Sequence, residues 1–122
     1  MMPYERLDAW QKSHQLVLAI YTETDGWPPR EVYGLTAQAR RAAVSVTNNL
    51  AEGTARLGGR ELRRFADIAL GSLSELSNIL RIARDLGFTT VERWEGLNAL
   101  RDHAGKLVFG LARSAVRIRA QP

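Results

Sequence analysis

The chain has no cysteine among its 122 residues, so a disulfide framework, a thiolate metal site and a cysteine nucleophile are all excluded. Histidine is nearly absent as well. Only His14 and His103 are available for general-base or zinc chemistry. Lysine is just as scarce: Lys12 and Lys106 stand against fifteen arginines. No apolar run approaches the ~20 residues that span a bilayer. The opening Met1-Met2-Pro3-Tyr4-Glu5 has no signal-peptide pattern, so the expectation is a soluble, cytoplasmic protein. Four prolines and the absence of any strand-like alternation leave helix as the dominant periodicity.

What is present is arginine, unevenly spread. The formal net charge is +4. Residues 40–64 hold six bases (Arg40, Arg41, Arg56, Arg60, Arg63, Arg64) against Glu52 and Glu61. Residues 103–122 hold Lys106, Arg113, Arg117 and Arg119 with no acid. The two remaining stretches are net acidic. Arginine is the side chain that grips phosphate or carboxylate with a planar fork.

Leu62, Phe65, Ala69, Ser72, Leu76, Ile79, Ala83 and Leu86 alternate three and four apart, a heptad seam. Leu97, Leu100, Ala104, Leu107, Leu111, Ser114 and Ile118 repeat it. Leu7, Trp10, His14, Val17 and Tyr21 give a shorter stripe, and Ala39, Ala43, Val46, Leu50 and Gly53 one of smaller residues. The spacing predicts four helices, about 5–24, 36–56, 60–86 and 90–118, in a single domain over 1–122. Asp25-Gly26-Trp27-Pro28-Pro29 stops the first helix. Thr36 is the expected cap of the second, Gly58-Gly59 breaks the chain before the third, and Gly87 suits the left-handed position after it. Thr89 with Glu92 reads as a capping box for the fourth.

Short connections make consecutive helices antiparallel, so the reading is an all-α, antiparallel, up-down-up-down four-helix bundle. That topology gathers Arg56, Arg60, Arg63 and Arg64 near Arg113, Arg117 and Arg119 at one end, with Arg40 and Arg41 at the other. Arginines in the first turn of the third helix oppose its dipole, an arrangement easier to understand if an anion or the acids of another chain compensate it.

Tyr33-Gly34-Leu35-Thr36 runs into Gln38-Ala39-Arg40-Arg41-Ala42-Ala43-Val44-Ser45-Val46, then Asn49-Leu50-Ala51-Glu52-Gly53, Ile68-Ala69-Leu70-Gly71-Ser72 and Glu75-Leu76. With Leu7-Asp8-Ala9-Trp10, this order and spacing closely resembles the four-helix-bundle proteins encoded in intervening sequences of bacterial 23S ribosomal RNA genes. The resemblance covers nearly the whole chain. It implies a left-handed antiparallel bundle assembled as a homopentameric ring. The accessory protein of diversity-generating retroelements has a similar bundle, whose basic surface serves nucleic acid and a reverse transcriptase. The resemblance brings no established activity. The chain departs from its relatives in small ways, among them Gly59, where they often place a serine or threonine cap.

Glu52 and Glu75 match patterned acids of that family. A di-metal site in a bundle needs Glu-x-x-His ligands, and that motif is absent, so no metal and no cofactor are expected. Instead these acids are expected to pair with Arg40, Arg41 or Arg81, fixing helix register or a subunit contact. His14 reads as a hydrogen-bonded seam histidine. Ser45 and Ser72 read as small packing residues, with Gly71-Ser72 at a close helix approach. Trp10 and Tyr21 read as core, and Trp27 either as an interface anchor or as a lid on the bundle end.

The expectation is a non-catalytic homo-oligomer that contacts RNA or DNA phosphates through Arg56, Arg60, Arg63, Arg64, Arg113, Arg117 and Arg119. Arg40, Arg41, Glu52 and Glu75 are the expected structural ion pairs. Leu18, Val44, Ile68, Leu73, Ile82, Val108 and Val116 broaden the apolar faces and suit either oligomer contacts or a wider core. The competing reading is a protein-interaction scaffold whose arginines are spent on acids across subunits.

Overall fold

Small side chains decide which faces of the helices meet. The computed structural model describes residues 1–120 and, for side chains, residues 1–115. The chain forms α1 (Asp8–Thr24), α2 (Leu35–Ala55), α3 (Gly59–Asp85) and α4 (Val91–Ala120), with single 3-10 turns at Pro3–Arg6 and Pro29–Glu31. Helices α1 and α3 each pack against both α2 and α4, while the diagonal pairs stay apart among the described residues. This is a four-helix bundle around one core.

Each element buries a stripe at helical spacing. Helix α2 buries Ala39, Ala43, Val46, Leu50 and Gly53, the stripe expected for it. Its alanines and glycine bring it hard against α3: a Cβ on Gly53 would stand 3.0 Å from Phe65 Cβ and 3.1 Å from Leu62 Cδ1. Across the same contact the hydroxyls of Ser45 and Ser72 lie 2.9 Å apart, and Asn49 Nδ2 donates to Ser45 Oγ. The small-residue contact is therefore made by Ser72, while Gly71 faces solvent with open space around it. Helix α3 buries Phe65, Ala66, Ala69, Leu73, Leu76, Ile79, Leu80 and Ala83, a stripe wider than one seam. Leu86 is 60 % exposed because α3 has already ended at Asp85.

Two expected faces are displaced. Helix α1 buries Ala9, Ser13, Leu16, Ile20 and Thr24, one residue off the stripe that ends in Tyr21. One residue is a rotation of roughly 100°. Both stripes have helical spacing, but the buried one presents Ala9 and Ser13, which allow close approach, so the bulky Trp10 moves to the flank. His14 and Tyr21 are exposed, and Trp10 is half-buried between Tyr4 and a parallel His14 ring at 4.8 Å. In α4 the buried residues run Leu97, Ala104, Val108, Ala112 and Ala115, with Ser114 exposed. The true helical repeat is 3.6 residues rather than 3.5, so between Leu97 and Ala115 the buried face drifts from the heptad positions by about 50°, roughly half a residue, toward the side observed.

Two caps also differ from expectation. Thr36 is buried one residue inside α2, and the Leu35 N–H donates to Glu31 Oε1 at 3.0 Å instead. At α4 the Thr90 hydroxyl accepts from Arg93 N–H at 3.1 Å, whereas Thr89 is buried with its own hydroxyl unpartnered. The glycine turns are as expected: Gly58 has φ +93° and Gly87 has φ +78°. At Gly58, where ψ is 152°, forcing an L-residue into this glycine-only region costs about 1–3 kcal/mol. Gly58→Ala is therefore expected to lower the unfolding free energy by about that amount in urea titration. Gly71→Ala, whose Cβ meets nothing within 4 Å, is expected to raise it by up to about 1 kcal/mol through helix propensity. Equal effects from the two would contradict this account of the turn.

Candidate nucleic-acid interface

The turn between α2 and α3 is where the arginines concentrate. Arg56 is the extended C-cap of α2, Gly58 redirects the chain, and Arg60, Arg63 and Arg64 follow in the first two turns of α3. All four are exposed. Phe65, buried on the α2 side, is a platform for two of them: Arg56 lies 5.4 Å and Arg64 4.6 Å from its ring centre. These are cation–π distances that hold the guanidinium planes against an apolar base without neutralising them.

Three of the four also touch carboxylates. Arg56 Nη2 meets Glu52 at 2.8 Å, Arg63 Nε meets Asp67 at 3.3 Å and Arg64 Nε meets Glu61 at 3.5 Å. Each pair lies within one helix or its cap, three or four residues apart, and is exposed. Such pairs contribute only about 0.3–0.5 kcal/mol. A phosphate group can therefore displace the carboxylate at little cost. The hydrogen bond that Arg56 donates to the Glu52 carboxylate, followed by that carboxylate's charge, raises the Arg56 guanidinium above its ordinary value, so Arg56 stays charged at any accessible pH. Glu61 in the first turn of α3 favours the helix dipole that the arginines oppose. Arg60 has no carboxylate within ion-pair distance among the described residues.

Arg113 on α4 is exposed and stacks 5.9 Å from the Phe109 ring, again without a carboxylate partner among the described residues. Its level on the bundle follows from the α3–α4 register. Gly105 packs against Leu73, and Leu70 shares a groove with Phe109. One turn further on, Arg113 comes level with the second turn of α3. The side chains of Arg117, Arg119 and Val116 lie outside the described residues.

The expected structural pairs are arranged differently. Glu52 bonds Arg56 beside it, not Arg40, Arg41 or Arg81, because the latter three lie several turns or a helix away. Arg81 meets Asp85 at 3.6 Å. Arg40 clamps α2 to the end of α1: Nη2 reaches Asp25 at 2.9 Å, Nε donates to the buried Thr24 hydroxyl at 2.9 Å, and the guanidinium covers Tyr21 at 4.5 Å. Arg41 and Glu75 are both exposed and make no ion pair among the described residues. Of the apolar residues set beyond the seams, Leu73 and Val108 belong to the core, while Leu18, Ile68 and Ile82 are exposed.

The periodicity of the chain does not mark Phe65 and Phe109 as arginine platforms. A signal is available for one of them, since Phe109 lies four residues before Arg113. Among the described residues no three His, Cys, Asp or Glu side chains cluster as metal ligands would, and no helix is long and apolar enough to cross a membrane.

No curated protein matches the chain. A family profile does, over residues 5–110, which takes in α1, α2, α3 and most of α4. The four-helix architecture and this match together place the chain in the family of 23S rRNA-intervening sequence proteins.

Proposed function

We propose that this protein is a non-catalytic, cytoplasmic, homo-oligomeric nucleic-acid-binding protein that contacts RNA phosphates through Arg56, Arg60, Arg63, Arg64 and Arg113; Arg117 and Arg119, expected from the sequence as further contacts, have side chains outside the described residues. The observation that carries the reading is charge imbalance at one end of the bundle. Five exposed guanidinium groups stand against Glu52, Glu61 and Asp67, and each acid is held only by a weak surface pair. The bundle is read as antiparallel and up-down-up-down. Support comes from the short connection at residues 56–58 and from Arg93 in the first turn of α4 reaching Glu23 near the end of α1 at 3.1 Å. The left-handed twist and the pentameric ring are proposed on family resemblance alone. A ring would multiply weak phosphate contacts into avidity.

A second reading, a protein-interaction scaffold, is favoured by one feature. Ile68 and Ile82 lie 42 % and 38 % exposed along the outer face of α3, on either side of Glu75, and Leu86 at the C-cap is 60 % exposed. The salt dependence of binding to a structured RNA separates the two readings. Four or five phosphate contacts give a log–log slope of about −3 to −4, so affinity falls by about 100-fold between 50 and 200 mM salt. A slope near zero, or no affinity at low salt, refutes the phosphate-contact reading and leaves the scaffold.

A further inference from the structure

Phe109 is 54 % exposed on α4, in the middle of a run that also carries Lys106 and Arg113. A half-exposed phenyl ring contributes little to the core it borders. Its surroundings are unusually bare. Side chains on a helix lean toward its N-terminus, so a residue four positions earlier would cover the ring on that side. That position is Gly105. At Gly105 a Cβ would make only ordinary contact, 3.9 Å from Leu73 Cδ1, so helix packing does not demand glycine there. Each helical glycine costs about 1 kcal/mol relative to alanine. With glycine at 105, no side chain one turn back on the helix covers the ring, and its N-terminal side stays open.

That face looks onto a groove of about 350 Å³ between α3 and α4, floored by Leu70 and Leu73. The volume is at the low end of the ~300–1,000 Å³ of small-ligand clefts. The rim is cationic: Lys106 is 77 % exposed and, among the described residues, pairs only with the exposed Asp102, and Arg101 is held by the neutral Asn98. Arg113 occupies the other side of the ring. An apolar floor, an aromatic face and flanking cations together are complementary to a nucleobase carrying its phosphates.

We infer that the α3–α4 groove is a base-stacking subsite for single-stranded nucleic acid, with Phe109 as the platform and Lys106, Arg101 and Arg113 neutralising the adjoining phosphates. The inference rests on the phosphate-contact reading and narrows it. Bases within a duplex stack on one another and have no face to offer, whereas an unpaired base does.

The test is fluorescence anisotropy of the full chain with three labelled probes: a thymidine 12-mer, an abasic 12-mer and a 12-base-pair duplex. Phe109→Ala is expected to weaken binding of the thymidine strand about five- to tenfold, while the abasic strand changes less than twofold. Phe109→Trp is expected to retain affinity, and its added indole emission to be quenched by the thymidine strand alone. The exposed position keeps the substitution out of the core, and a melting curve for each variant checks that the fold is retained. Equal binding of the thymidine strand by Phe109→Ala and the original chain overturns the inference, as does an equal loss on the abasic strand. Binding of the duplex alone overturns it too, yet leaves the phosphate-contact reading standing. Failure of all three probes to bind the unmutated chain at low salt overturns both.

Discussion

Replacing Arg60, Arg63 and Arg64 together with glutamate is expected to reduce affinity for a structured RNA by at least about 100-fold at low salt, and to flatten the salt slope by about three. Three phosphate contacts are lost and three repulsions take their place. The same changes are expected to leave the fold nearly intact. A glutamate at position 63 would oppose Asp67 and one at position 64 would oppose Glu61, each pair costing a few tenths of a kcal/mol. Against that, three carboxylates in the first two turns of α3 interact well with the positive end of its dipole, as arginines do not. Melting temperature should therefore shift by only a few degrees. Arg81→Glu, far from the turn, is the control and should bind as before. If the triple reversal binds RNA like the unmutated chain, the α2–α3 turn is not the contact surface. If it binds none but has also lost its helical melting transition, Arg60→Gln alone decides, because Arg60 has no ion pair to lose among the described residues and only its charge changes.

The second large effect concerns stability. Trp27→Ala is expected to cost about 3–5 kcal/mol and to lower the melting temperature by about 10–20 °C. A chain of this length has a total stability of roughly 6–18 kcal/mol, so the loss is a large share. Trp27 is 4 % exposed. Its indole N–H donates to Glu23 Oε2 at 2.9 Å, and its ring lies 6.2 Å from Phe88 in the α3–α4 connection. The Glu23 carboxylate, only 5 % exposed, also accepts from Arg93 at 3.1 Å. One side chain thus ties the end of α1 to the connection after α3 and the start of α4. Removing it opens a cavity and strips a buried carboxylate of one of its two donors. Trp27→Phe separates these terms: the ring remains, only the donor is lost, and the expected cost is about 1–2 kcal/mol. A cost below about 1 kcal/mol for Trp27→Ala would mean that the residue does not close the bundle end.

Local chemistry was legible where one residue type has one strong reason to occupy a position. Gly58 and Gly87 were readable as turn glycines because an L-side chain is strained at their φ angles. The α2 stripe from Ala39 to Gly53 was readable because no competing apolar stripe runs along that helix. The face of α1 was not. Leu7, Trp10, Val17 and Tyr21 outweigh Ala9, Ser13, Leu16 and Ile20 in bulk, and side-chain size alone favours the heavier set. The bundle selects the lighter one, since α1 must approach α2 and α4 closely and Trp10 is better accommodated at the flank.

Capping followed the same logic. Thr36 and Thr89 have the right chemistry at nearly the right place. However, a cap requires a backbone that has not yet turned helical, and a chain entering α2 through the Pro29–Glu31 turn already supplies Glu31. For the candidate interface, the arginine positions were readable as charge blocks, but their partners were not. Glu52 is expected to pair with Arg40, Arg41 or Arg81, yet it meets Arg56 at the cap of its own helix, because a residue four positions on is within side-chain reach.

By itself, then, the order of residues determined that four helices form, roughly where each begins and ends, and that positive charge accumulates in two segments of the chain. Only the packed bundle decided which face of α1 turns inward, that Trp27 seals one end, and that Phe65 and Phe109 sit beneath arginines. The division has a physical cause. Helix periodicity and turn strain are properties of a few consecutive residues. The choice among near-equivalent faces depends on how closely two backbones can approach, and that distance is fixed by side chains that belong to other helices.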